Sequence, residues 1–325
     1  MMLKCVRGIY EIGLKYAPGI MKAYIAKLIR FKEVLIYKFK LLVKYKTIDF
    51  FEIVEIEINT GCNRRCYYCP NSKYDRELLM NRKFMDEGLF RKIIDELSDL
   101  DYFGRIHPSF YGEPLLDKRL PDLVKYTREK LPKAHIRILT NGDFLTVNLF
   151  NHLLSCGVNS FEISLHESGS MSKNIALLLE YLKDKPELKK KVLLRTPQKE
   201  VKKELSKLGF RVDYLNSLFN RGGLIEVPKE ILRPISKCDA PSKCLEIDVN
   251  GNVVLCCNDY LSSVVLGNLK EESIMEVWRK NKEIRRKIRK GIFEFDICKK
   301  CALFRLSEWK EYLWQKEQSK MQGED

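Results

Sequence analysis

The sequence predicts an α/β fold: a partial (β/α)6 barrel over residues 50–216, followed by a small C-terminal domain over 217–325. Three observations carry this. From residue 51 onward, short strand-like runs alternate with helical patterns through six units, and such alternation implies parallel strands joined by right-handed crossovers. The segments richest in chemistry, GCNRRCYYC, YGEP, TNG, SLHE and RTP, all follow predicted strands, the end at which α/β sheets bind ligands. After residue 216 the rhythm breaks into a hairpin signal and a second group of cysteines.

The elements follow in order. FEIVEIEIN (51–59) alternates acidic and aliphatic residues at strand period and runs into the first cysteine loop. MDEGLFRKIIDELSDL (85–100) reads as a helix capped by Asp86, with Leu89, Ile93, Ile94 and Leu97 on one face. RIHPSFYGEP (105–114) is the second strand, running into a Gly-Pro turn. Helix DKRLPDLVKYTREK, strand HIRILTNG, helix VNLFNHLLSCG and strand NSFEISLH come next, then SKNIALLLEYLKD, KKVLLRTP, KEVKKELSKLG and FRVDYLN. In the last third, LEIDV and NVVLC flank Asn250-Gly251, a strong short hairpin signal. KEIRRKIRK (282–290) reads as a basic helix with a solvated face. ALFRLSEWKEYLWQKEQ (302–318) reads as a terminal amphipathic helix anchored by Trp309 and Trp314.

Charge is unevenly spread. Residues 1–50 hold eleven Lys/Arg against three Asp/Glu, +8 of the chain's net +15. Residues 1–49 therefore read as a basic, apolar helical extension that packs on the body, with an anionic membrane surface or a partner as the alternative occupant. No secretory leader and no run of about eighteen apolar residues is visible, so a cytoplasmic location is expected. In that reducing setting eleven cysteines suit metal ligation better than disulfides. Cys5 and Cys156 have no evident partners and read as inert buried thiols.

Three cysteines stand within eight residues, Cys62, Cys66 and Cys69. Three thiolates leave one iron of a cubane [4Fe–4S] cluster without a protein ligand. This CxxxCxxC loop, with Tyr68 before its last cysteine, resembles that of the radical S-adenosylmethionine (SAM) enzymes, whose catalytic domain is a partial TIM-like barrel. YGEP, with Tyr111, Gly112 and Glu113, matches the segment that in the family binds the SAM amino group through backbone oxygens. Gly112 would permit close approach of backbone to ligand, and Glu113 reads as a structural end to the strand. The resemblance implies that Ser164 and Arg195 contact the SAM carboxylate and ribose and that Thr140 and Asn141 line the same pocket. His166 is a candidate base, with a hydrogen-bonded bystander the plainer reading. The implied chemistry is reductive cleavage of SAM to a 5′-deoxyadenosyl radical, which abstracts hydrogen from a substrate.

The second cysteine group runs CxxP at Cys238, hairpin, Cys256-Cys257, LGN, Trp278 and a CxxC of Cys298 and Cys301. That order resembles the auxiliary-cluster domain called SPASM, in its shortened twitch form. It implies Cys238, Cys256, Cys298 and Cys301 as ligands of a second [4Fe–4S] cluster, with Cys244 or Cys257 able to replace one of them. Four thiolates ending in CxxC would also suit zinc. A fully ligated cluster would relay an electron or staple the fold.

In cysteine spacing the shortened relatives most resembled are aminocyclitol dehydrogenases, which implies oxidation of a small polar, sugar-like substrate, or modification of a peptide. An external electron donor such as flavodoxin or ferredoxin is implied. The alternatives are an RNA-modifying enzyme, which the basic charge invites, and a non-catalytic metal-stabilised binding module. No nucleic-acid motif accompanies the charge, so nucleic acid is not the expected partner.

Overall fold

The computed structural model describes residues 31–32, 35–36, 38–165 and 171–313. Cys5, His166 and Trp314, and most of the basic extension, lie outside the described residues. The chain divides into residues 1–50 and residues 51–325. Within the first unit, residues 38–45 are helical, and Tyr45 stacks on Phe50 with ring centroids 3.9 Å apart.

The second unit is built on a parallel sheet. Its strands are β1 (Ile53–Ile56), β2 (Arg105–His107), β3 (His135–Thr140), β4 (Ser160–Ser164), β5 (Val192–Thr196) and β6 (Arg211–Tyr214), all parallel and in sequence order. Between them lie α1 (Glu87–Asp99), α2 (Leu120–Lys130), α3 (Val147–Ser155), α4 (Lys173–Leu182) and α5 (Lys199–Lys207). The Asp86 carboxylate accepts from Leu89 N and caps α1, whose Leu89, Ile93, Ile94 and Leu97 are buried as their spacing predicts. Val54, Ile56, Ile106, Ile138, Phe161, Ile163, Val192 and Leu194 are all buried, forming the apolar side of the sheet.

The sheet does not close. β6 is one edge, and beyond β1 the sheet continues into the C-terminal third through β9 (Cys244–Ile247), β10 (Asn252–Val254) and β11 (Val265–Asn268). β9 pairs parallel to β1, and the predicted hairpin β9–β10 is antiparallel around Gly251 at φ +86°. The hairpin therefore extends the barrel's own sheet, a long-range pairing that local patterning does not encode. A second, antiparallel sheet has β12 (Ala302–Arg305) between β7 (Ser217–Phe219) and β8 (Arg233–Pro234).

Two local expectations are corrected. Residues 302–305 form a strand rather than the start of the terminal helix, which runs over described residues 306–313. Ala302 and Phe304 point into the core while Leu303 and Arg305 point out, the period of two that a strand requires. In YGEP the strand has already ended, and Pro114–Leu116 forms a 3-10 turn. The basic helix Lys282–Arg289 keeps the solvated face its charge predicts, through exposed Lys282, Glu283, Arg286 and Arg289, while on its inner side Arg285 is buried with its guanidinium 3.6 Å from the Trp278 ring centroid. No helix of the described residues is long and apolar enough to cross a membrane.

Candidate active site

The loop after β1 holds Cys62, Cys66 and Cys69 partly buried, and all ten described cysteines are free thiols. A turn fixes it: Cys69 N donates to Cys66 O at 2.8 Å, and Ser72 Oγ to Cys69 O at 2.8 Å. The Tyr68 phenol hydrogen-bonds the Cys66 thiol, and burial raises its proton affinity. Its ring packs beside Tyr67 against the core of Ile225, Phe304, Leu306 and Trp309.

Residues from the ends of β2 and β3 knit onto this loop. Glu113, only 4% exposed, accepts from Thr140 Oγ1 at 2.6 Å and Asn141 N at 2.8 Å. Burial pushes its carboxyl up to about 7. Asn141 Nδ2 donates to Asn63 Oδ1 at 2.8 Å, and Asn63 and Arg64 both donate to Asp143. The Tyr111 and Glu113 carbonyls accept from Asn71 Nδ2 and Asn59 Nδ2, both at 3.0 Å. A carbonyl has two lone pairs, so each keeps capacity for a ligand. Gly112 is required by protein rather than ligand contact, since a Cβ there would stand 2.1 Å from Asn59 O. Ser164 and Arg195 are register partners at the ends of β4 and β5. The Arg195 head is engaged, with Nη1 3.0 Å from Glu162 Oε1.

The second set gathers around the hairpin. Cys238 packs against the cluster of Leu255, Ile288 and Cys298. Cys238, Cys298 and Cys301 lie within electrostatic reach of one another, as does Cys256 of Cys301. Asn258 Nδ2 donates to Cys301 Sγ at 3.7 Å. Burial pushes the Cys298 and Cys301 thiols up to about 11, a cost that a bound metal removes by taking thiolate. Cys244 and Cys257 lie within electrostatic reach of Glu246 and Glu55, and Cys256 of Glu246 as well. Among the described residues no three His, Cys, Asp or Glu side chains converge to chelate one metal ion. Both sets are all-thiol, three in one loop and four around the hairpin, a donor chemistry that fits iron–sulfur clusters.

Tyr111 and two residues that sequence reading passed over, Tyr260 and Arg221, join the two sets. Tyr111 Oη donates to Cys257 O at 2.6 Å, and Tyr260 Oη to Asn71 Oδ1 at 2.8 Å. Arg221 Nη1 donates to Cys257 O at 3.3 Å and Asn258 Oδ1 at 3.0 Å, its guanidinium 5.7 Å from the Tyr111 ring centroid. The polar side of the sheet also carries Glu55, His107, Arg137, Glu162 and Glu246. The acidic positions of FEIVEIEIN were the available signal, because a carboxylate in a buried strand is costly unless used.

A family model for the radical SAM superfamily matches residues 56–193, and one for an iron-sulfur cluster-binding domain, SPASM, matches residues 238–302. Over 258 residues the chain is 33% identical to the S-adenosyl-L-methionine-dependent 2-deoxy-scyllo-inosamine dehydrogenase of Niallia circulans, covering 77% of this chain and 92% of that protein. The crystal structure of BtrN in complex with AdoMet and 2-DOIA superposes with a TM-score of 0.63 at 33% identity, covering 78% of this chain and 93% of that one. A cofactor-modifying protein for the tungsten-containing aldehyde ferredoxin oxidoreductase of Pyrococcus furiosus is 29% identical over 110 residues, 34% of this chain and 29% of that protein.

Proposed function

We propose, on the premise that the chain belongs to the radical SAM superfamily, that it oxidises a carbinol carbon of a small polyhydroxylated substrate of the aminocyclitol or sugar type. The chain is a radical SAM enzyme, and its cofactors are SAM and [4Fe–4S] clusters. The observation that carries the substrate reading is identity of 33% across 92% of a dehydrogenase whose name specifies such a substrate.

In this reading residues 50–216 form the catalytic barrel and 217–325 the auxiliary-cluster domain. Cys62, Cys66 and Cys69 would hold one cluster and leave it open to SAM; Cys238, Cys256, Cys298 and Cys301 would close the other. When bound, these groups supply a 5′-deoxyadenosyl radical for hydrogen abstraction and a sink for the second electron of the oxidation. The chain's own side chains position and shield. The Glu113 carboxyl holds Thr140 and Asn141 beside the first loop, where with Tyr68, Tyr111, Gly112, Ser164 and Arg195 they would border SAM. Glu162, held by Arg137 and Arg195, presents a fixed polar surface to a hydroxylated ring. Tyr111, which accepts from Asn71 after the first loop and donates to Cys257 O, would hold the cysteine sets in fixed relation, with Arg221 bracing Cys257 and Asn258 beside its ring.

Flavodoxin or ferredoxin would deliver the initiating electron, and the ten described free thiols support work in a reducing, cytoplasmic compartment. The test is anaerobic reconstitution, a reductant, SAM and 2-deoxy-scyllo-inosamine, with mass spectrometry of the products. Formation of 5′-deoxyadenosine with a substrate two hydrogens lighter is expected. Cleavage of SAM with no oxidised cyclitol would overturn the substrate reading.

A further inference from the structure

Glu55, His107 and Glu246 stand side by side because β2, β1 and β9 are neighbouring parallel strands. Glu55 is the register partner of His107 on one side and of Glu246 on the other. Directly opposed residues on adjacent strands share a face, here the polar side of the sheet that the proposed function gives to the substrate. The face is open at its rim, where the Glu55 side chain is 16% exposed and that of Arg195 41%.

The two halves of this face are satisfied differently. Glu162 on β4 takes Arg195 at 3.0 Å and Arg137 at 3.3 Å, so its charge is matched. In the other half Glu55 Oε1 lies 2.9 Å from His107 Nδ1. Among the described residues, neither carboxyl oxygen of Glu246, which is 1% exposed, receives a donor, and His107 Nε2, on a residue 5% exposed, has no partner either. Arg221 is within electrostatic reach of both glutamates, but its Nη1 is committed to Cys257 O and Asn258 Oδ1. Glu246 is left beside the Glu55 carboxyl and the Cys244 thiol, where burial raises its proton affinity well above the usual range.

The chemistry of what is missing is specific. His107 Nδ1 is taken by Glu55, which leaves Nε2 as the ring nitrogen open to a partner. Nε2 and both Glu246 oxygens are therefore buried polar atoms awaiting partners beside the Glu55 carboxyl, and a cation seated there would hold Glu246 in the carboxylate form that burial alone disfavours. A group with several N–H donors, no lone pair and a positive charge meets every requirement. A hydroxyl supplies one donor and no charge. These residues do not converge to chelate a metal ion.

We propose that Glu55, His107 and Glu246 form the subsite for a primary ammonium group of the substrate. The assignment rests on the reading above, which puts the substrate on this face, and it narrows that reading from polyols in general to amines.

The test measures binding to the reconstituted full chain with SAM by calorimetry. The probes are 2-deoxy-scyllo-inosamine and glucosamine, each paired with the counterpart carrying hydroxyl in place of amine. A charge-assisted hydrogen-bond set predicts that each amine binds at least about tenfold tighter than its counterpart. Glu246→Gln keeps the side chain's shape and should bring that ratio close to one. Glu55→Gln provides the same readout should the first variant not fold. No amine preference in the unaltered protein, or a preference that survives in both variants, would overturn the subsite. Product analysis in the unaltered protein tests the wider reading separately. Oxidation without amine preference removes the subsite alone. Amine preference without oxidation supports the subsite and removes the oxidation.

Discussion

Arg76 and Glu57 form a fully buried, forked ion pair, with Nε–Oε1 at 2.5 Å, Nη2–Oε2 at 2.8 Å and both side chains at 0% exposure. Arg76 also donates to the Tyr260 carbonyl, and the rings of Phe110, Tyr111 and Tyr260 lie 5.0–5.3 Å from its guanidinium. The pair ties the end of β1, just before the first cysteine loop, to Val249 of the hairpin and to the turn after Cys256. Removing one partner strands the other charge. Arg76→Met should cost about 3–5 kcal/mol of stability, seen as a lower urea midpoint, and adding Glu57→Met should recover part of it. Equal destabilisation by the single and double variants would show that the charge pair is not what Arg76 contributes.

The two cysteine sets should separate by analysis. Two cubanes predict about eight irons per reconstituted chain, about four from each set. Ala at Cys62, Cys66 and Cys69 together should remove about half the iron and end reductive SAM cleavage. Ala at Cys298 and Cys301 should remove the other half, retain some SAM cleavage and block substrate oxidation. Production of 5′-deoxyadenosine by the first triple variant would overturn the assignment of those ligands.

Gly112→Ala tests the close approach at the end of β2. The new methyl would stand 2.1 Å from Asn59 O and 2.8 Å from its carbonyl carbon, and backbone cannot yield as a flexible side chain would. The Asn59 donation to Glu113 O should fail with it, at a total of roughly 1–3 kcal/mol. SAM binding, measured by calorimetry, should weaken in step, because the shifted backbone is the segment assigned to the SAM amino group.

Much of the fold was legible because its signals are local. The six strands with the five helices between them, the Asp86 cap and the Asn-Gly hairpin are each written within a few residues. The three-cysteine loop is equally compact. The parallel pairing of β9 with β1 was not legible, since it joins segments about 190 residues apart through backbone alone. The Glu55–His107–Glu246 row depends on that register and was hidden for the same reason. Residues 302–305 misled because Ala, Leu, Phe and Arg suit a helix as readily as a strand, and tertiary pairing decided between them.

Glu113 predicts a pH dependence. Burial raises its carboxyl from 4.5 to about 7, so between those values the folded chain holds a proton that the unfolded chain has lost. Its contribution to stability is therefore full below about pH 4.5 and declines as pH rises to about 7. Glu113→Gln, which keeps an acceptor for Thr140 and Asn141, should flatten that decline. Urea midpoints of both proteins at pH 5 and pH 8 read the difference directly, and identical slopes would sink the idea.

The basic extension makes the last prediction. Residues 1–50 carry +8 among bulky apolar side chains, and in its described part Leu35, Ile36, Phe39, Leu42 and Val43 are each about half exposed or more. A segment serving only to pack would give no lipid affinity. One that recruits the protein to anionic lipid gains on the order of 1 kcal/mol per lysine near the surface at modest salt. That attraction fades as the Debye length shortens to about 3 Å at 1 M salt. Cosedimentation with phosphatidylserine-containing and phosphatidylcholine vesicles, using the full chain and a chain lacking residues 1–49, separates the two. Salt-sensitive binding by the full chain alone, to anionic vesicles alone, assigns the segment to the membrane surface. Equal binding by both proteins, or none by either, assigns it to packing.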